Sequence, residues 1–184
     1  IGTTEQAGFG LGGKVGESLL LPAMAIAFAS PSIAGQNYAA GEHQRVRKIF
    51  AITSIMTTMI LSIVALLCFF IPEWLLGLFS ADASVILVAS SYLHYVGLGF
   101  PIFGLIFTMS GMFQALGNTM PSLISAFIRM IVFASTLYSL SLQPYFNMVN
   151  VWVLIIFASM LQAVIMFFLL KKTFNHQLNF AIQS

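Results

Sequence analysis

The chain has 184 residues, of which 59 % are hydrophobic and only 7 % charged, against about 25 % charged in an average soluble domain. With a mean hydropathy of +0.98 it cannot clothe itself in a polar surface. That excludes a soluble globular domain, and the excess of apolar side chains excludes a disordered one. A net charge of +2 without a basic, aromatic-interleaved patch excludes a nucleic-acid footprint, and a lone cysteine, Cys68, excludes an internal disulfide or a cysteine metal cage.

In chain order, five segments are long and apolar enough to cross a bilayer core of about 30 Å as helix. The first runs from about residue 4 to 35. Its start carries Thr3 and Gln6 in capping-box spacing, and at about 48 Å it overshoots the membrane. The others span about 49–71, 85–116, 120–142 and 149–170. Gly35, Gln36, Asn37 and Gly41 punctuate the first boundary, Pro72 the second, Gly117 to Pro121 the third and Gln143-Pro144 the fourth. The fold class is therefore all-α, a polytopic bundle of about five membrane-spanning helices.

Arg45, Arg47, Lys48, Lys171 and Lys172 fall on one side of the membrane by alternation, and Glu5, Glu73 and Asp82 on the other. The positive-inside rule makes the basic side cytoplasmic, with the amino end of this chain outside and the carboxy end inside. Trp74, Tyr145 and Trp152 stand where aromatic anchors belong at the outer boundary. The 74–84 stretch reads as a short surface helix.

Gly8, Gly12 and Gly16, four apart, form one smooth helical stripe that favours close helix packing over a nucleotide loop. Ser54, Thr58 and Ser62, flanked by Thr53 and Thr57, and Ser122, Ser125, Arg129, Thr136 and Ser139 either bond across interfaces or line a wet cavity. Pro22, Pro31 and Pro101 interrupt apolar spans. Together with Gly97 and Gly99, Pro101 marks the third span as the bend, a static kink or a moving part.

Ionisable groups at membrane depth are few, and each carries two readings. Glu17 either pairs locally with Lys14 or binds a proton, Na⁺ or a cationic compound. His94, between Tyr92 and Tyr95, either relays protons or hydrogen-bonds as a neutral ring to a neighbouring helix. Arg129 either snorkels or pairs, or faces the cavity. No G-x-S-x-G, H-E-x-x-H or Walker A string occurs, so nothing supports an enzyme, a metal centre or a resident cofactor.

Four strings carry a resemblance. Pro31 to Gly41 followed by Arg45 and Arg47 resembles the Gly-Gln loop of MATE multidrug efflux transporters. Phe9 to Glu17 resembles the start of that family's eighth helix, Leu78 to Asp82 its "LFS-x-D" segment, and Gly111 to Thr119 the turn after its tenth helix. Their order and spacing hold across nearly the whole chain.

The resemblance implies helices eight to twelve, the carboxy-terminal lobe of a twelve-helix antiporter, with an amino-terminal lobe elsewhere in the same full-length chain. It implies export of amphipathic, often cationic compounds by alternating access, driven by H⁺ or Na⁺, in a bacterial inner membrane. Glu17, Tyr92, His94 and Tyr95 become candidate substrate- or cation-binding residues, and Gln36, Asn37 and Gly41 a cytoplasmic hinge loop. NorM-type members carry an acid in the tenth helix where this chain has Phe103, and Asn118 stands where Asp is usual. That moves coupling to the other lobe or to Glu17. Two alternatives are a lipid-linked oligosaccharide flippase of the same superfamily and a non-transporting membrane scaffold.

Overall fold

A computed structural model describes residues 3–143 and 147–179. Pro144 and Tyr145, the latter expected as an aromatic anchor, lie outside the described residues. Among the described residues there are seven helices: α1 (Thr3–Ala39), α2 (His43–Phe70), α3 (Pro72–Gly77), α4 (Ala83–Gly97), α5 (Phe100–Ala115), α6 (Met120–Ser141) and α7 (Met148–Asn179). Four of them are long and apolar enough to span a membrane alone, and α4 with α5 forms a fifth span bent by 55°. The protein is an all-α integral membrane bundle. Ile63, Phe70, Leu87 and Phe168 are more than half exposed on its outside, a surface that only lipid or further protein can cover.

The helices end where the backbone chemistry requires. Gly41 and Gly117 adopt φ +75° and +72°, the left-handed conformation that glycine takes without a Cβ penalty. Around them Glu42 N–H donates to the Asn37 carbonyl at 2.9 Å, and Asn118 N–H to the Phe113 carbonyl at 3.0 Å. These are the six-to-one bonds of a Schellman close. Pro72 and Pro121 sit in the first turns of α3 and α6, where a missing N–H costs nothing.

Helix α1 is the centre of the bundle, packed along α2, α4 and α5, while α6 leans mainly on α7. The glycine stripe is the reason α1 comes so close. A Cβ on Gly8 would lie 2.5 Å from Val88 Cβ, and one on Gly12 would lie 2.8 Å from the Tyr92 ring. Glycines seven apart on the bent pair extend the same device: Gly97 meets Cys68, Gly104 meets Leu61 and Thr57, and Gly111 meets Pro31 and Ala27. Beside Gly104, the Thr57 and Thr108 hydroxyls join α2 to α5 at 3.2 Å, and Ser110 joins Ser122 of α6 at 2.8 Å. Ser54 and Thr58 hydroxyl oxygens are buried without a hydrogen-bond partner among the described residues.

Several expectations are corrected. Helix α1 continues through Gly35, Gln36 and Asn37 to Ala39, so two of the three residues assigned to the hinge loop lie in its last turns. Gly35 is held in the helix by packing against Ala115 of α5. Pro22 and Pro31 leave α1 a single helix, whereas Leu98 and Gly99 break the third span. The surface helix after Pro72 is only six residues long, with Leu75 and Leu76 buried and Trp74 exposed.

Asp82 caps α4. Its carboxylate accepts the Ser84 hydroxyl at 2.7 Å, the Ser84 N–H at 2.9 Å and the Val85 N–H at 3.4 Å. These bonds, the Ser84 hydroxyl foremost, hold its pKa below the usual carboxylate value. A depressed carboxylate pKa stabilises the fold above the unfolded value and loses that contribution as pH falls through the folded one. The cap is therefore intact at neutral pH and opens only in acid. Asp82→Asn should preserve amide-exchange protection at Ser84 and Val85 and Asp82→Ala should remove it; equal protection in both would refute the cap.

Glycine substitutions separate packing from propensity. Gly8→Ala forces α1 off α4 and should cost roughly 1–3 kcal/mol. Gly10→Ala, which meets nothing within 4 Å, should gain up to about 1 kcal/mol of helix propensity. Thermal unfolding in detergent measures both, and a Gly8→Ala protein as stable as Gly10→Ala would contradict the packing.

Candidate functional site

The end of the bundle opposite Arg47 and Lys171 holds two adjoining clefts of about 290 and 320 Å³, which share Glu5 and Phe9 of α1 with Met148 and Trp152 of α7. Behind them lies an aromatic cluster. Tyr92 takes the edge of Phe9 at a centroid distance of 5.4 Å and stands edge-on to Trp152 at 6.2 Å. Tyr95 tilts against Trp152 at 5.7 Å. The glycine stripe makes this possible, because only the bare backbone at Gly12 admits the Tyr92 ring so close to α1.

Trp152 is the informative residue. It is 4 % exposed, so it is not the boundary anchor expected from its place near the start of α7. Packing against Tyr92 and Tyr95 outweighs its interfacial preference. Its indole Nε1 is buried with no hydrogen-bond partner among the described residues. A buried donor left unpaired costs about 1–3 kcal/mol, and the Trp152 ring lines both clefts together with the exposed residue Glu5.

The expected residues divide. Tyr92 and Tyr95 belong to this cluster. Glu17 is exposed on α1 within Coulombic reach of Tyr92, and the expected Lys14–Glu17 pair does not form; the ion pair present among the described residues joins Arg45 to Glu42 at 3.7 Å. His94 faces the other way. It stacks on Phe69 of α2 at 4.3 Å and meets Tyr95 edge-on, with no hydrogen bond to a neighbouring helix among the described residues. The Nε of Arg129 is buried and unpartnered in a groove formed by α6 itself, so the structural-pair reading is not realised among the described residues. Gly41 alone of the three hinge residues lies between helices.

Sequence reasoning missed Glu5 and the true place of Trp152. The available signal was the Glu5–Phe9 spacing of one helical turn beside Gly8 and Gly12, which puts an acid and a ring on the edge of the close-packing stripe. What the arrangement can do is hold a flat, positively charged, amphipathic molecule. Phe9 and Trp152, which line both clefts, offer stacking and cation–π attraction, and Glu5 offers a counter-charge.

Comparison with known proteins gives three findings. The MatE family model matches residues 1–138. A probable multidrug resistance protein NorM of Thermotoga maritima is 27 % identical over 127 residues, covering 69 % of this chain and 27 % of the relative. Two solved structures share the fold at 18 % identity: a multidrug resistance MATE family transporter of the MOP superfamily in an outward-facing conformation, with TM-score 0.87 over 96 % of this chain and 40 % of that one, and an inward-facing one with TM-score 0.77 over 90 % and 39 %. The chain thus spans about a quarter of the curated relative and two-fifths of the structural ones.

The burial of Trp152 is open to direct test. In a Trp74→Phe background its fluorescence should be blue-shifted and resist quenching by iodide, because 4 % of its surface is exposed. Red-shifted emission that iodide quenches readily would return Trp152 to the interface.

Proposed function

The chain belongs to the MatE family, and on that footing we propose that it forms the carboxy-terminal lobe of a cation-coupled antiporter that exports amphipathic, positively charged organic compounds by alternating access. One observation carries the reading: Phe9, the ring of Trp152 and the acid Glu5 line both clefts, and Tyr92 and Tyr95 back them. A planar organic cation satisfies every feature of that lining. It covers the Phe9 ring and the exposed part of Trp152 and neutralises the Glu5 carboxylate. Fold relatives in outward- and inward-facing states support alternating access.

Within this proposal Glu17 is the coupling carboxylate of the lobe. It is exposed and makes no ion pair with Lys14 among the described residues, so its carboxylate is open to a proton or Na⁺. The position that holds an acid in NorM-type members is occupied by Phe103, packed with Phe100 at 6.3 Å, which leaves that spot apolar. The bent α4–α5 span and the turn at Gly41 are the parts proposed to move, with the basic end facing the cytoplasm of a bacterial inner membrane. A flippase for lipid-linked pyrophosphates would place cations in the cavity; the residues lining the two clefts include Glu5 and no Lys or Arg.

Reconstituted into vesicles, the full-length protein containing both lobes should move ethidium against its gradient when a proton or Na⁺ gradient is imposed. Trp152→Leu and Glu5→Gln should each weaken ethidium binding about tenfold, in line with about 1–2 kcal/mol for a desolvated cation–π or charge contact. Glu17→Gln should retain binding and lose the response to the gradient. Gradient-independent dye movement, or wild-type binding in Trp152→Leu, would defeat the proposal.

A further inference from the structure

At the basic end, α2 and α7 leave a second kind of cleft, about 290 Å³ in volume. Its floor is apolar: Leu170 is 2 % exposed, and Phe50 meets the buried Phe174 edge-on at 5.6 Å. Its rim is cationic and comes from two helices, Arg47 on α2 and Lys171 on α7, with the Asn175 amide one turn further on. The Arg47 guanidinium donates to the Phe174 carbonyl at 3.5 Å, which bridges α2 to α7 across the cleft. In the other direction from Lys171, one turn toward the apolar part of α7, Phe167 lines the cleft and is half exposed. The cleft is therefore polar and positive at the mouth and opens along its length onto the apolar belt.

We propose that this cleft binds the headgroup phosphate of an anionic glycerophospholipid, held by Arg47, Lys171 and Asn175, with an acyl chain lying along Phe167. Charge and shape select that occupant. A forked guanidinium and an ammonium on the rim of one cleft match phosphate oxygens. Free phosphate would use the rim and leave the apolar floor and Phe167 uncovered, whereas a phospholipid covers both. A basic pocket between spanning helices at the membrane surface is the setting in which anionic headgroups are recognised. The site lies at the opposite end of the bundle from the aromatic clefts and does not depend on what the protein transports.

The test uses the protein reconstituted in bilayers of phosphatidylglycerol and phosphatidylcholine in equal amounts with identical acyl chains, extracted in mild detergent and weighed by native mass spectrometry. Phosphatidylglycerol should be retained over phosphatidylcholine. Arg47→Gln and Lys171→Gln should each reduce that preference about fivefold, Arg47→Lys should keep most of it, and Lys14→Gln, a charge outside the cleft, should keep all of it. Equal retention of the two lipids, or an equal loss with Lys14→Gln, would overturn the site. Displacement of phosphatidylglycerol by millimolar inorganic phosphate would assign the cleft to free phosphate and overturn the lipid.

Discussion

In lipid, burying an apolar side chain against another helix gains little, because the acyl chains are equally apolar; what holds spanning helices together is how closely their backbones approach. Here that approach is set by glycine. Gly8 and Gly12 let α1 lie on α4, Gly104 lets α5 lie on α2, and Gly111 takes the ring of Pro31. The Thr57–Thr108 pair sits beside Gly104, where the backbones are near enough for two short hydroxyls to meet. Dispersion contacts along these seams replace the hydrophobic core of a soluble domain.

The aromatic clefts follow from that geometry. Tyr92 can lean on α1 only because Gly12 has no side chain, and Trp152 is drawn inward because Tyr92 and Tyr95 offer ring faces in place of lipid. The result is an indole donor buried without a partner among the described residues, on a ring that lines clefts shared with the exposed Glu5, and stability alone does not favour such a donor. The opposite end has the reverse polarity. Arg47 and Lys171 stand over Phe174 and Leu170, so one bundle carries an acid-and-ring surface at one end and a cation-and-ring surface at the other.

Much of this was legible in the sequence, and the failures have physical causes. Composition alone specifies a lipid-bathed helical bundle, and the spacing of Gly8, Gly12 and Gly16 announces close packing before any partner is known. Gly97, Gly99 and Pro101 announce the bend. Gly35 misleads, because a glycine with a close neighbour such as Ala115 stays helical, and only Gly41, with its positive φ, ends α1. Pro22 and Pro31 mislead in the same way: tertiary packing of α1 overrides local propensity. Trp152 was misplaced because depth in a membrane is read from distance along the chain, whereas burial depends on which face meets Tyr92 and Tyr95. Tyr92 and His94 looked like one group, but two residues on a helix point nearly opposite ways, and His94 turns to Phe69.

The account rests on α1 lying backbone to backbone along the α4–α5 pair. A Cβ on Gly35 would stand 3.9 Å from the Ala115 Cα, so thiols placed at the two positions come within reach of each other after a small shift. With Cys68, the single native cysteine, changed to serine, cysteines at positions 35 and 115 should cross-link rapidly under mild oxidation in membranes, and a control pair at 10 and 115 should not. Failure of the first pair to cross-link, or equal cross-linking of both, would contradict the packing from which the rest is derived.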